Sequence, residues 1–99
     1  MRPKALAKDE LVKTVNDLPG WSLREGKLYK KFEFANFIAA MDFMNRAVDF
    51  IEAQNHHPEW FNVYNRVEVW LITHEVAKSP SAAITKLDTD LAKHMNTLA

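Results

Sequence analysis

The sequence predicts an α+β domain of element order αββαββα, a four-stranded antiparallel sheet with three helices packed on one face. Three observations carry that expectation. Two stretches rich in aromatic and β-branched residues, 21–34 and 59–73, each break at a two-residue turn, Glu25-Gly26 and Tyr64-Asn65. Three other stretches repeat apolar residues at the spacing of a helix face. Strand pairs joined by hairpins and interrupted by helices form an antiparallel sheet covered by its helices.

The first helix is expected over residues 7–17, where Leu11, Val12 and Val15 recur at helical spacing and Asp9 and Glu10 complement the helix dipole from the first turn. Leu18-Pro19-Gly20 ends it. The hairpin "WSLREGKLYKKFEF" follows, its half-buried face drawn from Trp21, Leu23, Leu28, Tyr29, Phe32 and Phe34. A long amphipathic helix is expected over 36–54, with Phe37, Met41, Met44, Val48 and Ile51 as its core stripe and Phe43, Ala47 and Phe50 off that stripe. Pro58 biases His57 away from helical angles, so His56-His57 should form a helix-to-strand corner. Strands are expected over 59–63 and 66–73, with Asn65 tolerating positive φ in the turn between them. The loop "EVAKSPSAA" then leads to a last helix over 84–97, carried by Ile84, Leu87, Leu91 and Met95.

A chain of 99 residues has room for one hydrophobic core, so residues 1–99 are expected to be a single domain. Thirteen basic residues balance thirteen acidic ones, which removes the long-range attraction for phosphate backbones and argues against direct nucleic-acid binding. Without cysteine there is no disulfide framework, thiolate metal site or cysteine nucleophile. No stretch approaches the ~20 apolar residues that span a bilayer, so no membrane partner is expected and a cytosolic or nuclear setting is the default.

Three of the four histidines stand at element ends, His56 and His57 at the corner and His74 at the close of the last strand, where small domains place chemistry. A purely structural arrangement is the alternative, with His56 capping its helix, His57 solvated and His74 paired to Glu75. Glu52 and His56 share a helix face, but adjacent histidines in extended chain point apart and no recognised zinc spacing occurs, so no metal is expected. Ser22, Ser79 and Ser81 stand in no nucleophile elbow. Acid–base work by imidazoles is what remains.

The array Glu52-x3-His56-His57-Pro58-x5-Tyr64-x9-His74-x13-Asp88 resembles the signature of the pterin-4a-carbinolamine dehydratase family, and "HHPEWFNVYNRV" is close to that family's most characteristic run. The resemblance covers nearly the whole chain. It implies removal of water from a 4a-hydroxytetrahydropterin to give the quinonoid dihydropterin, in tetrahydrobiopterin recycling, with neither metal nor redox cofactor. His56, His57 and His74 are then the catalytic candidates, with His56 and His74 as proton donors on the two faces of the ring and His57 orienting the substrate. Glu52 and Asp88 would support them, Glu52 acting on His56 one turn away. Pro58, Trp21, Trp60 and Thr73 would line the substrate pocket, although sheet packing is an equal account of the two tryptophans. The loop "AKSPSAAITKL" is longer than the family's usual connection, which makes Asp90 a competitor for the acidic position, while "LDTDLA" aligns more naturally with Asp88.

The resemblance also implies, for animal members, a role as dimerisation cofactor of a homeodomain transcription factor, carried by a helical surface. The residues themselves suggest self-association. Strand 66–73, with Val67, Val69 and Leu71 and little to blunt it, reads as an open sheet edge, and Phe43, Ala47 and Phe50 read as an apolar outer helix face. Two self-complementary surfaces give a homotetramer, a dimer of dimers.

Overall fold

A computed structural model describes residues 2–99. In chain order the elements are α1 (Lys8–Asn16), β1 (Ser22–Arg24), β2 (Lys27–Glu33), α2 (Phe37–Gln54), β3 (Glu59–Val63), β4 (Arg66–Leu71) and α3 (Lys86–Leu98). The four strands form one antiparallel sheet in the order β1-β2-β4-β3, which bears out the expected α+β architecture. The first hairpin closes where expected, with Glu25 and Gly26 both at positive φ (51° and 78°), the pairing that matches the twist of two-residue hairpins. In the second hairpin the positive φ falls on Tyr64 (50°) and not on the expected Asn65, whose side chain instead donates to the Phe34 carbonyl.

The core lies between the sheet and the helices. Leu28 and Phe32 of β2, Val67, Val69 and Leu71 of β4, and Leu91, Ala92 and Met95 of α3 are buried in one cluster with α2. On the opposite face, Tyr29, Trp70 and Phe61 form a row, Trp70 tilted against Tyr29 and stacked on Phe61 with ring centroids 5.0 and 5.5 Å apart. There the Tyr29 hydroxyl donates to Glu68 at 2.6 Å, which holds the Glu68 carboxyl below and the Tyr29 phenol above their usual ranges.

Two expectations are overturned. The buried face of α2 is Ala40, Phe43, Ala47 and Ile51, with Phe50 partly buried against the core. Phe37 and Val48 of the expected core stripe are 47% and 43% exposed, and Ile38 beside them is 77% exposed. The helix is apolar over more than half its circumference, and Ala40 and Ala47 let it approach the sheet more closely than the larger side chains on its other flank. Phe43, 1% exposed, then fills the space over Phe32 and Phe34, at centroid distances of 4.6 and 5.0 Å.

The strand expected as an open edge is also internal. β4 runs between β2 and β3, with Phe32 opposite Val67 on one side and Asn62 opposite Val67 on the other. Its apolar alternation therefore belongs to a strand paired along both sides, and the sheet's edges are β1 and β3. No helix among the described residues is long and apolar enough to cross a membrane.

Candidate active site

The site begins with how α2 stops. Asn55 adopts the left-handed conformation (φ 48°, ψ 44°), the His56 N–H reaches the Ile51 carbonyl at 3.2 Å, and the Asn55 N–H reaches Glu52 at 3.2 Å. This is a Schellman closure with asparagine in place of the usual glycine. It turns the chain so that His56 points into the molecule, 9% exposed, while His57 faces solvent. Adjacent histidines point apart, as extended chain requires.

His56 meets α3. Its Nε2 lies 2.5 Å from Asp88 Oδ1, and Asp88 is fully buried. The other oxygen, Oδ2, accepts from the Thr85 backbone N–H at 2.9 Å and from the Thr73 hydroxyl at 2.7 Å. Thr85 is the N-cap of α3 and Asp88 is its third residue, so the two complete a capping box. One carboxylate thus starts a helix with one oxygen and holds an imidazole with the other. Asp90 does neither; it pairs with Lys86 at 3.8 Å on the outside of α3.

Glu52 supports a different histidine from the one expected. Its Oε2 lies 2.6 Å from His57 Nε2, because the turn at Asn55 carries His56 inward, away from the face that Glu52 occupies. His74 lies beyond the end of β4, on a segment anchored by Thr73, whose N–H and carbonyl each bond Ala83 at 2.9 Å. Its Nε2 is 3.8 Å from Glu59 Oε2, so its carboxylate neighbour is Glu59 and not the adjacent Glu75. Each of the three histidines therefore has its own carboxylate, and each presents Nε2 to it. For His56 and His57, whose Nε2 lies within hydrogen-bond range, the carboxylate can only accept, which places a proton on Nε2 and leaves Nδ1 as the other ring nitrogen.

All three histidines line one open groove of about 440 Å³, together with Thr73, Gln54 and Leu87. Thr73 lines the groove, but its hydroxyl is committed to Asp88 and Thr85. Trp21 and Trp60 are not groove residues. The Trp21 indole is buried and donates to Asn96 at 3.0 Å beside a separate hollow, and Trp60 packs against the core. Pro58 shapes the corner without lining the groove.

Arg2, which no sequence pattern singled out, stands at the groove. The chain just after it is held by Pro3 accepting from the Ala77 N–H at 2.8 Å and by Leu6 donating to Ile84 at 3.0 Å.

Residues 4–98 match the family model described as pterin 4 alpha carbinolamine dehydratase. The chain belongs to that family. It is 38% identical over 96 residues to a Prochlorococcus marinus (strain MIT 9312) protein named for pterin-4-alpha-carbinolamine dehydratase, covering 97% of this chain and 95% of the relative. A Rhizobium johnstonii protein of the same name is 41% identical over 101 residues, covering 100% and 95% of the two chains. The crystal structure of a transcriptional coactivator/pterin dehydratase from Brucella melitensis superposes with a TM-score of 0.86 at 37% identity, over 97% of this chain and 99% of that one. The groove with its three histidine–carboxylate pairs is therefore part of a pterin dehydratase fold.

Proposed function

We propose that this chain eliminates water from a 4a-hydroxytetrahydropterin by histidine general acid and base catalysis, as a hydro-lyase of tetrahydrobiopterin recycling in the cytoplasm. The observation that supports the reading is the set of three imidazoles opening on one groove, each backed by a carboxylate at Nε2. The reaction needs no change of oxidation state. The lone pair of the ring nitrogen beside C4a forms a C=N bond as the C4a–O bond breaks, and the departing oxygen takes a proton from an imidazolium to leave as water. A neutral imidazole accepts the ring N–H proton, and the product is the quinonoid dihydropterin.

Imidazole both donates and accepts a proton, which suits these two transfers, and a placed general acid or base contributes about 10²–10⁴-fold. His56 and His74 are the donors in this reading, from different elements and so on different faces of a ring held between them. His57, solvent-facing and held by Glu52, orients the substrate.

Stopped-flow dehydration of chemically prepared 4a-hydroxytetrahydropterin tests the proposal. The protein is expected to accelerate it equally with and without a chelator. A rate no faster than the spontaneous one would reject the activity, and a rate abolished by chelation and restored by zinc would reject the metal-free route.

A second reading is favoured by the exposed flank of α2, where Phe37, Ile38 and Val48 leave apolar area in water. That flank suits self-association, and it is also the kind of surface a coactivator of a transcription factor would use; the name of the Brucella relative includes transcriptional coactivator. The β3 edge, flanked by the half-exposed Phe61 and Val63, supplies a second self-complementary surface. Together they support a homotetramer built as a dimer of dimers. Light scattering at micromolar concentration is expected to give a tetrameric mass, reduced to a dimeric one by Ile38→Glu; a monomeric mass for the unaltered protein would discard both surfaces.

A further inference from the structure

Lys27 and Glu59 lie outside the residues that the family signature picked out. They face the open side of the sheet: Glu59 is opposite Trp70 on β4, and Trp70 is opposite Tyr29, two residues along β2 from Lys27. The Lys27 Nζ reaches across the end of β4 to Glu59 Oε1 at 2.6 Å, while the other oxygen of the same carboxylate stands 3.8 Å from His74 Nε2. The carboxylates beside His56 and His57 have no lysine or arginine partner among the described residues.

His74 is also the least constrained of the three histidines. Its side chain is 70% exposed and, among the described residues, makes no hydrogen bond and has Glu59 as its one carboxylate within 4 Å. A separation of 3.8 Å is too long for a hydrogen bond but closes by a small side-chain movement once the imidazole carries charge. What keeps Glu59 aimed at His74, and not free to swing with the solvent, is the second oxygen's contact with Lys27. The hairpin that carries Lys27 thereby reaches the chemistry through one carboxylate.

From this geometry we infer that Lys27 and Glu59 are positioning residues for His74, forming a Lys27–Glu59–His74 relay that sets how well the site handles substrate protonated from the His74 side. The inference rests on the reading of His74 as a proton donor given under Proposed function.

The test uses the two C4a epimers of the hydroxytetrahydropterin, with His74→Ala identifying the epimer that depends more on His74. Lys27→Ala and Glu59→Gln are expected to lower the kcat ratio of that epimer to the other by about tenfold, the low end of what removing a carboxylate behind a functional histidine costs. Lys27→Arg is expected to restore most of the ratio, because a guanidinium keeps the charge and the reach. An unchanged ratio in Lys27→Ala and Glu59→Gln, with His74→Ala still epimer-selective, would overturn the relay and leave the donor reading standing. His74→Ala slowing both epimers equally, or neither, would remove the donor reading and the relay with it.

Discussion

His56→Ala is expected to lower kcat for dehydration by about 10²–10⁴-fold, the loss of a well-placed general acid. It is also expected to destabilise the fold, which a histidine at an exposed corner would not do. His56 is buried against Asp88, and without it one oxygen of a fully buried carboxylate loses its donor. His57→Ala separates the two effects. His57 is exposed and its ring pairs with Glu52, itself exposed, so its removal is expected to impair turnover while stability stays within about 0.5 kcal/mol. Stopped-flow rates beside urea unfolding of both variants check this; a fully active His56→Ala would remove His56 from the chemistry.

Asp88→Ala is expected to cost about 3–5 kcal/mol, the range for breaking a buried charged pair by deleting one member. Domains of this kind have about 5–15 kcal/mol of stability in total, so the variant stands near the threshold of folding. The loss comes from several places at once. The Thr85 N–H at the start of α3, the Thr73 hydroxyl and the His56 imidazole all lose their acceptor. Asp90→Ala, two residues on, removes only a long contact to Lys86 on the surface and is expected to change stability by less than about 0.5 kcal/mol. A urea midpoint for Asp88→Ala equal to that of the unaltered protein would show that the network carries no weight.

Much of the fold was legible because it is written in short-range chemistry. The Glu25-Gly26 turn and the corner before Pro58 each depend on residues within a few positions of one another. The misreadings concern long-range choices. Which flank of α2 faces the sheet was decided by Ala40 and Ala47, whose small size permits close approach, whereas a periodicity argument favours the larger Met41, Met44 and Val48. Strand order placed β4 inside, and an alternating apolar strand reads the same at an edge or in the middle until its partners are known.

In the site, the histidines stood out by their place at element ends, and Asp88 through the family resemblance. Their pairing did not, because the exchange of Glu52 from His56 to His57 follows from one left-handed residue. Lys27 and Glu59 read as ordinary surface charges, and Arg2 carried no signal at all.

That left-handed residue, Asn55, has a bearing on how such a site can evolve. By sending His56 and His57 to opposite sides, it places neighbouring codons under different constraints. His56 shares a buried network with Asp88, Thr73 and Thr85, so a change there costs stability unless others compensate for it. His57 and Glu52 face water and pair with each other outside that buried network. Drift toward a new pterin would therefore enter on the His57 side of the groove, while the His56 side is inherited as a block.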